Sequence, residues 1–168
     1  MARVGVLPDA VLAHTLAGVA RIAGPRLIAG LGMGDDRSRP ENRAYGVPFL
    51  PRPERLASLA GVCRRLRARG ITTWVGGRSA PVAAVARDEA DALNLWGVGV
   101  GAVAAVAPQP VTWAGQVDLG AAGAHRSLAG MLSGVAAAGA TWAVVAPLGV
   151  GWPEAVESIA AAAEALVD

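Results

Sequence analysis

The chain has 168 residues, 54% of them apolar and only 17% charged, which excludes a disordered protein and is enough to bury a core as one domain. All 15 basic residues are arginine: fourteen lie in residues 1–87 against five acids, a formal +9, and residues 88–168 carry Arg126 against eight acids, a formal −7, for a net +2. A basic half suits nucleic acid, an anionic cofactor or a face that pairs with the acidic half, but aromatics at 4% provide few stacking platforms, so nucleic-acid binding is not expected.

The pattern alternates short apolar runs with amphipathic or Ala-rich stretches. Residues 4–7 read as a strand, and Pro8 and Asp9 open a helix through about Ala23, with Asp9 as its N-cap. After Gly24-Pro25, the run Leu27, Ile28, Ala29, Leu31 reads as a buried parallel strand that ends in Gly30, Gly32 and Gly34. Glycines at the carboxyl end of such a strand let a flat ring or a phosphate approach the backbone, or simply serve a turn that needs positive φ. The spacing is G-x-G-x-G into a polar stretch, residues 35–43, rather than G-x-G-x-x-G opening a helix, so a dinucleotide fingerprint is not expected.

A proline-punctuated connector over residues 45–51 leads to a helix over about 53–69, whose apolar face is Leu56, Leu59, Ala60, Cys63 and Leu66. Cys63 on that face reads as a packed thiol, and as the single cysteine it excludes an intrachain disulfide. Gly70 caps the helix, residues 71–75 form a strand, and Gly76-Gly77-Arg78-Ser79 leads into a helix from Pro81 to about Ala90. Two glycines, a guanidinium and a Ser in N-cap reach at a helix N-terminus compose an anion site. The ordinary alternative is an N-capped turn with a solvent-facing Arg78.

Residues 91–97 form another strand, 98–107 are helix or coil, 111–119 a strand, 125–138 a helix, 141–145 a strand, and Pro153 starts a final helix. That makes about six βα units with a parallel sheet. Residues 128–150 are long and uncharged enough to span a membrane, but Gly130, Ser133, Gly134, Gly139, Thr141 and Pro147 interrupt them, so no membrane span is expected. With no signal peptide indicated, the expectation is a cytoplasmic protein.

Four motifs in order carry a family likeness: Arg26-Leu-Ile-Ala-Gly-Leu-Gly-Met-Gly34; residues 41–55 with Ala44-Tyr-Gly-Val-Pro48; Trp74-Val-Gly-Gly-Arg-Ser79; and Ala90-Asp-Ala-Leu-Asn-Leu-Trp-Gly97. Together they resemble the luciferase-like monooxygenase superfamily, flavin- or deazaflavin-dependent oxidoreductases on a TIM-barrel scaffold. The resemblance implies FMN or a deazaflavin (coenzyme F-420), with Gly30, Gly32 and Gly34 lining its ring and Gly76, Gly77, Arg78 and Ser79 holding its phosphate. It also implies a small organic substrate, and a structural role for Asp91 and Asn94 at their strand end. A complete barrel takes about 250 residues, and the likeness begins at the family's third strand, with Ala92-Leu93 in place of the usual Gly-Trp. The expected fold is therefore a single truncated α/β domain over residues 1–168. It is TIM-barrel-derived, an incomplete barrel of about six βα units with a parallel sheet, and its open edges imply a homodimer.

Catalytic groups of the chain's own are few. His14 reads as a partly buried helix residue and His125 as a turn residue, no spacing suggests a metal, and Asp35-Asp36 reads as solvated beside Arg37 and Arg39. That poverty suits an enzyme whose coenzyme carries the chemistry; the alternative is a non-catalytic flavin-binding or interaction protein derived from the same fold.

Overall fold

The structure, a computed structural model, describes residues 1–165. They form an α/β fold in which six strands are hydrogen-bonded in the order the chain makes them. By contacts the chain divides into two compact units, residues 1–93 and residues from 94 onward.

The first unit contains β1 (Ala2–Arg3), α1 (Asp9–Ala23), β2 (Ile28–Gly32), a 3-10 turn (Asp36–Ser38), α2 (Arg39–Ala44), α3 (Arg52–Arg67), β3 (Thr72–Gly76) and α4 (Ala80–Glu89). β1 pairs with β2 in parallel, Ala2 beside Leu31 and Arg3 beside Gly32, and β2 pairs with β3 in parallel from Ile28 beside Thr72 to Leu31 beside Val75. Side chains alternate across a strand, so Ala29, Leu31, Thr73 and Val75 share one buried face, packed with Leu59, Val62, Cys63 and Leu66 of α3 in the core of this unit. The sheet's opposite face carries Gly30, Gly32, Trp74 and Gly76.

α3 organises this unit, lying against α1, α4, β2 and β3. Its buried positions are Arg55, Ser58, Leu59, Val62, Cys63 and Leu66, a stripe at helical spacing. That stripe is rotated from the expected one: Leu56 and Ala60 are only half-buried, while two polar residues face inward. Gly70 adopts φ +67 and ends the helix, its N–H donating to Arg67 O while the Ile71 N–H donates to Leu66 O.

β4 (Ala92–Trp96) crosses the border between the units. The second unit continues with α5 (Val100–Ala104), β5 (Val111–Asp118), α6 (Ala124–Ala137), β6 (Ala140–Leu148) and α7 (Trp152–Glu164). β5 and β6 pair in parallel along their length. Leu119, Ala124, Leu128, Leu132, Ala155 and Ala162 form this unit's core, with Val117, Val145 and Ile159 packed against it.

Asp9 is the first residue of α1 rather than its N-cap, which is Pro8, and its carboxylate accepts from Ser58 instead of capping. Three further local expectations differ from the observed elements. The first strand is Ala2–Arg3 rather than residues 4–7, because Gly5 turns the chain at φ +78. Residues 39–44 are helical rather than loop, since Pro40 falls in the first turn where a missing N–H leaves no bond unmade. The final strand runs to Leu148 through Pro147, which an edge strand tolerates. Among the described residues, no helix is long and apolar enough to cross a membrane.

Candidate functional site

The carboxyl ends of β2 and β3 bring both predicted glycine clusters together. Gly30 stands beside Trp74 and Leu31 beside Val75 in the ladder, and Met1 Sδ would lie 3.6 Å from a Cβ at Gly32 and 3.7 Å from one at Gly76. Gly30, Gly32 and Gly76 leave a strip of bare backbone on the face away from the helices. Its cover is Met1: a Cβ built at Gly30 would lie 3.6 Å from Met1 Cα, one at Gly32 3.6 Å from Met1 Sδ, and one at Gly76 3.3 Å from Met1 Cε. Met1 is itself 89% exposed, so the strip is roofed by one exposed residue, its Cα over Gly30 and its flexible side chain over Gly32 and Gly76.

Gly34 and Gly77 serve the backbone rather than the strip. Gly34 has φ +69, and a Cβ there would stand 2.8 Å from Arg3 Cδ and 2.9 Å from Ser38 Oγ. Gly77 has φ +153, with Val82 Cγ1 2.8 Å from the place of a Cβ. Both positions require glycine for turning and close packing.

Arg78 is exposed and makes no hydrogen bond or ion pair among the described residues. Ser79 occupies the N-cap position of α4 with φ −81 and ψ 144, yet its side chain caps nothing. The first-turn N–H groups of a helix have no intrahelical partner. Those of Ala80 and Val82 therefore have no side-chain acceptor, while Pro81 has none to offer. A guanidinium and open N–H groups thus sit at the end of the glycine strip.

A groove of about 600 Å³ adjoins the strip, lined in part by Met1, Arg3, Gly32, Gly34, Glu41 and Tyr45. Arg3 fixes its floor, pairing with Glu41 at 3.0 Å and donating from Nη1 to Ser38 O at 3.2 Å.

Arg55 is the residue that sequence reasoning missed. It is buried, and it donates from Nε to Leu50 O (3.0 Å) and from Nη1 to Met33 O (3.1 Å) and Gly34 O (2.7 Å). Phe49 lies between two guanidiniums, 4.1 Å from that of Arg55 and 4.6 Å from that of Arg39. The loop that follows the glycine strip is thereby tied to the start of α3. Burial pulls the Arg55 pKa below its ordinary value, followed in size by the opposing influence of Asp36. The available sign was an arginine three residues from Ser58 and seven from Val62, on a face that otherwise reads as core.

The remaining polar groups do structural work. Asp91 Oδ2 accepts from Thr73 N (2.7 Å) and Thr73 Oγ1 (3.1 Å), and Asn94 Nδ2, in the middle of β4, donates to Thr112 Oγ1 (2.8 Å). Asp35 accepts from Arg37 N at 3.0 Å and Asp36 pairs with Arg39 at 2.9 Å. Ser58 donates to Asp9, joining α3 to α1. Cys63 is buried, and its thiol is pushed up to about 12, first by burial and then by the charge of Glu89. His14 is exposed rather than half-buried, and His125 is exposed as well. No cluster of three or more His, Cys, Asp or Glu among the described residues could hold a metal.

Part of the arginine excess lies at the other end of the strands. A groove of about 640 Å³ there includes Arg21, Arg69 and His14. Arg69 donates to Arg65 O (2.7 Å) and Arg26 to Ala23 O (3.4 Å), so these arginines serve the carbonyl ends of α3 and α1.

Compared with protein-family models, and with curated proteins, the chain matches none.

Proposed function

We propose that the chain is an oxidoreductase of the luciferase-like, monooxygenase kind, its sheet a portion of a TIM-type barrel, that binds FMN or a deazaflavin coenzyme and acts on a small organic substrate. The observation that carries this reading is the strip of Gly30, Gly32 and Gly76 ending at Arg78 and the uncapped start of α4. The chemistry of these residues fits such a coenzyme: bare backbone accepts a flat ring, and a guanidinium with open N–H groups accepts a phosphate. When bound, the coenzyme supplies the hydride or oxygen chemistry. This chain's residues bind and orient: Gly32 and Gly76 would take the ring, Arg78 and the N–H groups of Ala80 and Val82 the phosphate, and Arg55 would hold the adjoining loop still.

A second reading, a coenzyme-binding protein without turnover, is favoured by how few acid–base groups adjoin the strip: the groove beside it holds Glu41, which is paired with Arg3, and Tyr45. Titration with FMN and with the deazaflavin separately, followed by fluorescence, tests both. Saturable binding is expected. Arg78→Ala should weaken it by about 1.5–3 kcal/mol, the worth of a hydrogen bond to a charged group. Gly32→Ala should weaken binding while leaving the fold intact, because the added Cβ meets only Met1 Sδ, at 3.6 Å. Gly77→Asp is a poor probe, since Val82 blocks any side chain there. Binding of neither coenzyme well above micromolar concentration overturns the proposal, and binding without substrate turnover selects the second reading.

A further inference from the structure

Two helices carry apolar stripes that nothing in their own units covers. On α7, Trp152 (75% exposed), Val156 (60%), Ala160 and Ala163 are exposed at i, i+4, i+8 and i+11. On α1, Val11, Thr15, Val19 and Ile22 (88% exposed) follow the same spacing and are exposed too. That spacing keeps four side chains on one line of a helix. The face of α1 that meets α3 is a different one, holding Leu12 and Ala13.

The charges beside the stripes are opposite in sign. From residue 139 to 165 the only charged residues are Glu154, Glu157 and Glu164, all on α7. The basic groups around the α1 stripe are His14 and Arg21 on the helix and Arg26 just beyond it, while the helix's one acid, Asp9, is held by Ser58. In the strand order β6 and β1 are the two end strands, and Val144 and Leu148 of β6 are exposed. Two α7 stripes meeting each other would bring glutamates together, whereas α7 on α1 brings glutamates to arginines.

We propose that the occupant of the α7 surface is the α1 surface of a second copy of this chain, a head-to-tail contact between unlike faces. Each copy has one of each surface, so two copies can satisfy both or a longer series can grow. The contact is independent of the coenzyme reading.

The test uses the whole chain and two surface variants, Val156→Arg on α7 and Ile22→Glu on α1, with light scattering after size exclusion for mass and circular dichroism for fold. Wild-type protein at about 100 μM is expected to be a dimer or larger, a concentration well above a micromolar Kd. It should shift toward monomer as salt is raised from about 0.05 to 0.5 M. Each variant alone is expected to be a folded monomer. An equimolar mixture is expected to form a dimer, because Ile22→Glu keeps an intact α7 and Val156→Arg an intact α1. A wild-type monomer overturns the proposal. So does an Ile22→Glu protein that still dimerises alone, which would mean that α7 pairs with itself, or a mixture that stays monomeric.

Discussion

Single side chains decide how the glycine-bearing end is held. Arg55 donates to three carbonyls on two segments of chain, and Arg55→Met should lower stability by about 2–3 kcal/mol, since buried acceptors would lose a charged donor. Arg55→Lys should recover only part of that, because an ammonium lacks the planar fork; urea denaturation midpoints of the three proteins check both expectations. The guanidinium stays charged throughout the working pH range, so the loss should be equal at pH 6 and pH 9. Cys63 behaves in the opposite way. Its folded thiol titrates at about 12, above the value of about 8.5 for a solvated thiol. The raised folded value means that the stabilisation is complete below pH 8.5 and is lost as pH climbs toward 12. A thiol reagent at pH 8 should leave the native protein unlabelled and react on unfolding, and the wild-type denaturation midpoint should fall more steeply above pH 9 than that of Cys63→Ala.

At the scale of elements, glycines divide into those that packing demands and those it merely tolerates. A Cβ at Gly115 in β5 would stand 2.5 Å from Trp113 Cζ2, and the indole cannot swing aside while its Nε1 donates to Val98 O at 2.8 Å. Gly115→Ala should therefore cost about 1–3 kcal/mol, the usual range for overpacking. Gly130 in α6 has open space where a Cβ would stand, and Gly130→Ala should gain up to about 1 kcal/mol from helix propensity; thermal unfolding of the pair checks the contrast. Most strands were legible because apolar runs end in Gly or Pro, and α1, α3 and α4 announce themselves by period and by their end residues. β1 was not, since a two-residue pairing carries no period, and α2 was hidden by three charges and Pro40. The meeting of Gly32 and Gly76 could be inferred from two strand ends in successive βα units. The demands on Gly34 and Gly77 could not, because they come from Arg3, Ser38 and Val82, contacts that only the folded chain brings close. Arg55 escaped notice for a related reason: a buried arginine is legible only when the carbonyls that receive it are known.

For the molecule as a whole, charge and topology have separate consequences. The arginine excess is distributed between helix ends, the Arg55 pin, and the exposed Arg78, so the formal +9 of residues 1–87 does not describe one basic face. The strand order, by contrast, is the chain order. β1 meets β2, β2 meets β3 and β5 meets β6 across a single intervening βα connection each. No pairing has to wait for a distant piece of polypeptide, so the entropy lost in closing each loop stays close to its minimum for a parallel sheet. A chain leaving the ribosome can thus add strands in the order in which they emerge, with each new strand finding its template already laid down beside it.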